Sequence, residues 1–175
     1  SGQGLQQVAD GTVDIGNSDV SAEEKLDASA SEGLVDHQVC VITMAPIVNP
    51  DVYDAGVTDL TKDQLISIFT GETTNWSEVG GPDEDIILIT RPESSGTRAT
   101  FEKYALDGNS EASNASMETD DSGVLLQNVK DTKGAIGYVA LSYLVDETEV
   151  ATLAIDGVEP TLENTYNGTY PVWTY

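Results

Sequence analysis

Helical periodicity is the clearest pattern in the chain. In the stretch 61–71, Leu65, Ile68 and Phe69 recur at helical spacing, and Gly71 supplies a C-terminal stop. Such a stripe gives a helix one apolar face that must pack against a core. By the same reasoning, helices are predicted over 4–10 (closed by Gly11), from Ser21 with Glu24 at capping-box spacing, over 96–106 and over 122–131.

Short apolar runs between these helices predict β-strands. Residues 37–49, "HQVCVITMAPIVN", are nearly unbroken in apolarity, as expected of a buried central strand, and Cys40 within them is interpreted as a small buried hydrophobe. Because helices alternate with buried strands, the sequence predicts an α/β architecture with mainly parallel sheets. Further strands are predicted over 12–16, 86–90, 134–140, 150–155 and 169–175.

The net charge of the chain limits the classes of partner that it can bind. The 175 residues carry 31 acidic and 7 basic side chains, a net charge of −24. Nucleic acid and anionic membranes are therefore not expected as partners, because little positive charge is available to neutralise phosphates. The spread of the acids fits either an acidic extracytoplasmic protein or adaptation to high salt. The first residues, "SGQGLQQV", have no basic or apolar character, so a signal peptide or lipid anchor would lie outside this sequence.

Metal and hydrolytic chemistry are not favoured. His37 is the single histidine and Cys40 the single cysteine, too few for a zinc site of the usual nitrogen and sulfur ligands. A Ser-His-Asp triad would have to use His37, which lies at the polar start of a predicted strand. We therefore expect no metal, no cofactor and no catalytic residue. Phe69 and Trp76 are expected to pack in the core.

The stretch "TRPESSGT", residues 90–97, has the chemistry of an anion site. A strand leaves the sheet here and turns into a helix, whose first N–H groups lack internal partners and carry the positive end of the dipole. The alternative is a simple N-cap by Ser95, with Arg98 paired to Glu102 one turn later. For Arg98 the pairing is the preferred interpretation; for residues 95–97 both interpretations stay open.

A second polar, glycine-rich helix start opens the chain. The segment "SGQGLQQV" runs straight into a predicted helix. Two helix starts together with the Arg91 guanidinium would supply roughly two positive charges locally, which suits a divalent oxyanion.

Four segments resemble a known family in order and spacing. They are "SGQGLQQVADGTVDIGNSD", "LTKDQLISIFTGETTNWSEVGG", "RPESSGTRATFEKY" and "GAIGYVALSYL". Over nearly the whole chain the sequence is similar to the PstS family, the substrate-binding proteins of ABC-type phosphate transporters. The resemblance implies a type II periplasmic-binding-protein fold, in which two α/β lobes close on one phosphate.

The resemblance also implies the phosphate ligands. The family's first-lobe serine falls on Ser1, its aspartate on Asp19 and its second-lobe arginine on Arg91. Gly2 and Glu93 are expected to support them; Glu93 either pairs with Arg91 or lies on the surface. One departure is Ser94, where a glycine is commoner. The helix start that completes the set falls on Ser95, Gly96 and Thr97.

The resemblance further implies a chain truncated at both ends. Family members begin with a strand and a further phosphate-binding loop, and they continue beyond "TYPVWTY". We therefore expect residues 1–46 and 171–175 to form a partial first lobe and 47–170 a second lobe. Self-association of such a shortened chain is a further expectation.

Asp19 has a chemical reason to lie beside a bound anion. Phosphate still carries a proton near neutral pH and can donate it to a carboxylate, whereas sulfate cannot. Leaving a buried polar group unpaired can give discrimination of about 10⁴–10⁵. The alternative is that Asp19 caps the turn before Ser21.

The expectation is therefore a non-enzymatic, extracytoplasmic protein, either periplasmic or a surface lipoprotein. It would bind inorganic phosphate and deliver it to an ABC permease. The rival functions are binding of sulfate or molybdate, a serine hydrolase or phosphatase using Ser95, and an interaction protein that no longer transports.

Overall fold

Short elements alternate along the whole chain, and the computed structural model describes residues 1–175 throughout. The predicted α/β class is confirmed. The strands are β1 Ile42–Val48, β2 Asp59–Leu60, β3 Ile87–Thr90, β4 Met117–Glu118, β5 Ala135–Ala140, β6 Ala151–Thr152, β7 Ala154–Ile155 and β8 Trp173–Thr174. The helices are α1 Gly2–Ala9, α2 Ala22–Lys25, α3 Ala28–Ser31, α4 Pro50–Asp54, α5 Lys62–Phe69, α6 Gly96–Tyr104, α7 Ser122–Asp131 and α8 Leu162–Tyr166.

The main sheet is mixed, not mainly parallel. Its strand order is β4-β3-β5-β1-β6, with β8 also paired to β1, while β2 and β7 form a separate parallel pair. Strands β3, β4 and β5 are parallel to one another, but β1 is antiparallel to β5, β6 and β8. Alternation of helices and strands predicts the α/β class, but it does not determine the direction in which each strand enters the sheet. That is why the prediction of mainly parallel sheets was wrong.

Helices cover both faces of this sheet. Along β5, Ile136 and Tyr138 face the larger core, and Ala135 and Val139 face a smaller one, as the twofold period of a strand requires. The larger core is completed by α5 and α6, through side chains that include Phe69. The smaller core is completed by α7. Phe69 and Trp76 are fully buried, which confirms their expected place in the core.

The predicted helices with clear start and stop signals are present. In α5, Thr61 and Gln64 form a reciprocal capping box, and Gly71 follows with φ +81°, a conformation that favours glycine. Helix α1 is followed in the same way by Gly11, with φ +67°. The predicted span 122–131 coincides with α7. No helix has the length and apolarity needed to span a bilayer.

Two strand predictions in the N-terminal quarter were wrong. The strand expected from residue 37 begins only at Ile42, where pairing with β8 starts, and Cys40 is exposed, not buried. Residues 12–16 form no strand, and Ile15 is 83% exposed there. Apolar alternation had suggested a strand, but no neighbouring strand pairs with this segment.

Two further expectations need correction. Ser21 makes no side-chain capping bond, and the helix after it has only four residues. Glu24, which was expected to complete the capping box, pairs with Lys103 on α6 instead. The run 150–155 is divided between β6, which pairs with β1, and β7, which pairs with β2.

Candidate functional site

The loop between β3 and α6 is held by its own side chains. Ser95 is the N-cap of α6, and its Oγ accepts the Arg98 N–H at 3.3 Å. The Nε of Arg98 donates to Glu102 Oε1 at 2.8 Å, which confirms the predicted pair. Arg98 also donates through Nη1 to the Arg91 carbonyl at 2.7 Å. The second arginine therefore stabilises the loop from which the first one projects.

Arg91 is a buried guanidinium with incomplete pairing. The residue is 1% exposed, and its Nε has no hydrogen-bond partner. Nη1 donates to the Asp120 carbonyl at 3.0 Å, and Nη2 donates to Ser122 Oγ at 2.9 Å and to the Tyr138 carbonyl at 3.1 Å. The closest carboxylate oxygen, Asp120 Oδ1, lies 3.9 Å from Nη1, and the Asp120 side chain is about half exposed. A buried cation with such weak compensation can accept an anion.

The other basic side chains are already engaged. Lys25 donates to the Glu93 carbonyl at 2.9 Å, and the remaining five form ion pairs with carboxylates. Those pairs are Lys62–Asp107, Arg98–Glu102, Lys103–Glu24, Lys130 with Glu147 and Glu149, and Lys133–Glu84. Of the two buried cations, Arg91 and Arg98, Arg91 is thus the one whose charge is less compensated at short range.

The starts of α1 and α6 lie against each other. Ser1 makes no capping bond to α1; its Oγ instead accepts the Asp19 N–H at 3.0 Å and lies 3.4 Å from Asp19 Oδ2. Thr97 Oγ1 lies 3.3 Å from the same carboxylate oxygen. A Cβ on Gly96 would collide with the Ser1 side chain, so only glycine permits this approach. The structure therefore brings four of the predicted ligands into one cluster.

The remaining predicted residues border this cluster. A Cβ on Gly2 would lie 3.3 Å from the Ser94 carbonyl oxygen, so α1 also abuts the loop before α6. Glu93 is exposed and forms no ion pair with Arg91. Of the two positions expected for it, Glu93 therefore occupies the one on the surface. The guanidinium of Arg91 makes no hydrogen bond to the cluster and is directed towards Asp120 and the start of α7.

Four residues around Arg91 were not singled out from the sequence: Glu111, Asp120, Ser122 and Tyr138. Ser122 opens the predicted helix α7, and helix starts are a general signal for anion sites. Tyr138 lay in a predicted strand as an ordinary aromatic residue. Glu111 lay in the polar segment 107–121, where nothing in the local pattern marks one acid among many.

Glu111 has an unusual electrostatic environment. Its side chain is fully buried, and burial raises its pKa from 4.5 to about 7, against the opposing effects of hydrogen bonds from Tyr138 and from the Arg91 N–H. Burial, reinforced by the Glu111 charge, raises the pKa of Tyr138 well above its ordinary value. The Tyr138 hydroxyl therefore keeps its proton near neutral pH and donates it in a hydrogen bond to Glu111.

The surroundings of Ser95 lack the partners of a nucleophile. Its Oγ accepts a backbone N–H and has no general base bonded to it, while His37 is exposed. No group of three or more His, Cys, Asp or Glu residues is arranged to hold a metal ion. What the cluster offers is hydroxyls, free helix-start N–H groups and one carboxylate.

Comparison with known proteins gives consistent matches. A profile of the PBP superfamily domain matches residues 1–175. The phosphate-binding protein PstS of Bacillus subtilis is 55% identical over 177 residues, covering 100% of this chain and 56% of its own length. The chain spans about half the length of the curated relatives it matches.

Solved structures agree with this. One from Clostridium perfringens, described as a phosphate ABC transporter substrate-binding protein with bound phosphate, is 31% identical, with a TM-score of 0.85 over 99% of this chain and 68% of that chain. The fold is also similar to PstS from Borrelia burgdorferi, with 23% identity and a TM-score of 0.71 over 99% of this chain and 70% of that chain. The chain therefore belongs to the PBP superfamily and, within it, to the PstS family.

Proposed function

We propose that this chain binds inorganic phosphate as the substrate-binding component of an ABC-type transporter. The observation that carries the proposal is Arg91, a buried guanidinium without a close carboxylate partner and with an unpaired Nε. A buried charge of this kind is costly unless a ligand compensates it. The loop that carries it leads directly into the helix start at Ser95–Thr97.

The proposed ligand set is Ser1, Asp19, Arg91 and residues 95–97, with Gly2 allowing α1 to approach the loop. The contacts within the cluster support this assignment, because two hydroxyls and two helix starts meet at the Asp19 carboxylate. The protons of those hydroxyls can turn towards an anion, since the two hydroxyl oxygens lie 3.4 and 3.3 Å from the Asp19 carboxylate. Asp19 itself would accept a hydrogen bond from the hydroxyl of a bound phosphate.

The relatives support phosphate as the ligand. The B. subtilis relative is named a phosphate-binding protein, and the C. perfringens structure is described with bound phosphate. By the same likeness, the partner is the membrane permease of an ABC transporter and the location is extracytoplasmic.

A two-lobed arrangement belongs to the same proposal. Residues 1–46 with 171–175 would form part of one lobe, and 47–170 the other. Contacts that join the two groups support closure of one on the other. Thr97 reaches Asp19, Lys103 pairs with Glu24 at 2.7 Å, and Lys25 donates to the Glu93 carbonyl.

Other functions have less support. A serine hydrolase needs a base beside Ser95, and its Oγ instead accepts a backbone N–H. Sulfate and molybdate would face the Asp19 carboxylate without a proton to share. The net charge of −24 repels every anion at long range, so affinity must come from local donors rather than from steering.

Calorimetry of the chain with three anions tests the proposal. Phosphate is expected to bind, with sulfate and molybdate at least about 100-fold weaker, since rejection by an unpaired buried polar group is a strong form of discrimination. Equal affinity for sulfate, or no heat with phosphate, would overturn it. Hydrolysis of a phosphate or acyl ester that disappears in Ser95→Ala would favour the enzyme instead.

A further inference from the structure

Glu111 is hydrogen-bonded to the main chain of Arg91. Its Oε2 accepts the Arg91 N–H at 3.1 Å, while Arg98 donates to the Arg91 carbonyl at 2.7 Å. Both backbone groups of Arg91 are thus held by charged side chains. Glu111 is itself fixed, because its own N–H donates to Glu102 Oε1 at 2.9 Å. The orientation of Arg91 therefore depends on a carboxyl twenty residues away in the chain.

Tyr138 connects the same carboxyl to the guanidinium. The Tyr138 hydroxyl donates to Glu111 Oε1, and the Tyr138 carbonyl accepts from Arg91 Nη2. The Arg91 Cζ lies 5.3 Å from the centre of the Tyr138 ring, a cation–π distance. The ring is in turn stacked on Phe101 of α6, with centroids 3.9 Å apart. Glu111 is thus bonded both to the main chain of Arg91 and to Tyr138, whose carbonyl holds the Arg91 guanidinium.

The charge on Glu111 is poorly compensated by neighbouring cations. Arg98 Nε lies 3.9 Å from Glu111 Oε2, but it is already bonded to Glu102 at 2.8 Å. The ionisable side chains around Glu111 are the cationic Arg98, the anionic Glu102 and the neutral Tyr138, and the Arg91 guanidinium lies over the Tyr138 ring. These sum to one positive charge when Glu111 is protonated and to none when it is ionised.

We propose that Glu111 is a positioning residue for the anion site, which holds Arg91 directly and through Tyr138 and whose protonation strengthens the attraction of Arg91 for an anion. This inference rests on the proposed phosphate-binding function. It adds that phosphate binding is coupled to proton uptake at Glu111. By reciprocity, the coupling works in both directions, since bound anion must favour the protonated carboxyl.

The test is phosphate calorimetry from about pH 5.5 to about pH 8.5, a range that brackets the pKa to which burial raises Glu111. Glu111→Gln keeps an oxygen for the Arg91 N–H and an N–H for the Tyr138 oxygen, so it mimics the protonated acid. The variant should bind like the wild type at the acidic end. At the alkaline end the wild type should bind about 3- to 10-fold more weakly than the variant. The titration of phosphate itself cancels in this ratio.

Three further variants sharpen the test. Glu111→Ala should bind about tenfold or more weakly at every pH, because the Arg91 N–H and the Tyr138 hydroxyl lose their acceptor. Tyr138→Phe removes a hydrogen bond that lowers the Glu111 pKa, so the pH step should move upwards. Glu163→Gln, an exposed acid on α8, is the charge-matched control and should show the wild-type profile.

The outcomes are distinguishable. A wild type that does not bind phosphate overturns the proposed function and this inference with it. A wild type that binds phosphate, with Glu111→Gln showing the same pH profile, overturns this inference alone. If Glu111→Ala fails to fold, the profiles of Glu111→Gln and Tyr138→Phe decide the question.

Discussion

The positive charges of Arg91 and Arg98 are compensated by different groups, although only six residues separate the two arginines. Arg98 has Glu102 at 2.8 Å and the Arg91 carbonyl at 2.7 Å, so it is a structural cation. Arg91 is bonded mainly to neutral oxygens and keeps one unpaired N–H. The helical spacing of Arg98 and Glu102 made their pair predictable. The environment of Arg91 depends on residues from β5 and α7, which no local pattern reveals.

Asp19→Asn should weaken phosphate selectivity. An amide can donate to sulfate, and it no longer repels a fully ionised anion. We expect the ratio of phosphate to sulfate affinity to fall at least about tenfold, since the discrimination rests on one polar pairing. Competition calorimetry measures the ratio. An unchanged ratio would indicate that Asp19 only caps the turn before Ser21.

Glu111 should also make the free energy of unfolding depend on pH. Its folded-state pKa of about 7 lies above the ordinary value of 4.5, so the native state holds a proton that the unfolded state has lost between these values. The contribution of Glu111 to the free energy of unfolding is therefore fully present below about pH 4.5. It is lost as pH rises through 7, and the total loss is about 3 kcal/mol. Urea unfolding of the wild type and Glu111→Gln measures it. Parallel pH curves for the two proteins would contradict the assignment.

At the scale of elements, the best predictions were those with both a periodic stripe and a terminal signal. Helices α5 and α7 combine such a stripe with a cap. Strand β1 and the run 150–155 had apolarity alone, and their ends depend on which neighbours pair with them. Residues 12–16 alternate as a strand would, but they have no partner strand. The local sequence does not contain the pairing information that decides these cases.

The capping box of α5 gives a measurable element-scale prediction. Thr61→Ala removes the acceptor of the Gln64 N–H, which is bonded at 3.2 Å. The free energy of unfolding should fall by about 1 kcal/mol, the usual cost of losing an N-cap. Urea denaturation is the measurement. Thr148→Ala is the matched control, because Thr148 is exposed, and its loss should change stability by less than about 0.5 kcal/mol. Equal effects of both substitutions would argue against the cap.

At the scale of the whole molecule, negative charge is the dominant feature. A net charge of −24 over 175 residues implies self-repulsion in the folded state. The family and the fold class were both accessible from the sequence, because they depend on motifs spread along the chain. The mixed sheet was not, since it depends on long-range strand direction.

Added salt should therefore stabilise the protein. Raising NaCl from about 0.05 M to about 1 M shortens the screening length to about 3 Å and reduces repulsion among surface carboxylates. The Tm is expected to rise by several degrees. Differential scanning calorimetry at fixed pH measures it, with KCl as the comparison salt. A Tm that stays constant or falls would show that exposed ion pairs such as Lys103–Glu24 outweigh the repulsion.

The most direct test of the central claim is phosphate titration of Arg91→Ala beside Lys133→Ala. Both variants lose one positive charge, but Lys133 is 74% exposed in its side chain and pairs only with Glu84. With folding of each variant verified by circular dichroism, Arg91→Ala should lose phosphate affinity by about 100-fold or more, because a buried charged contact is removed. Lys133→Ala should bind within about twofold of the wild type, as expected for a screened surface charge. Equal phosphate affinity in the two variants would contradict the account.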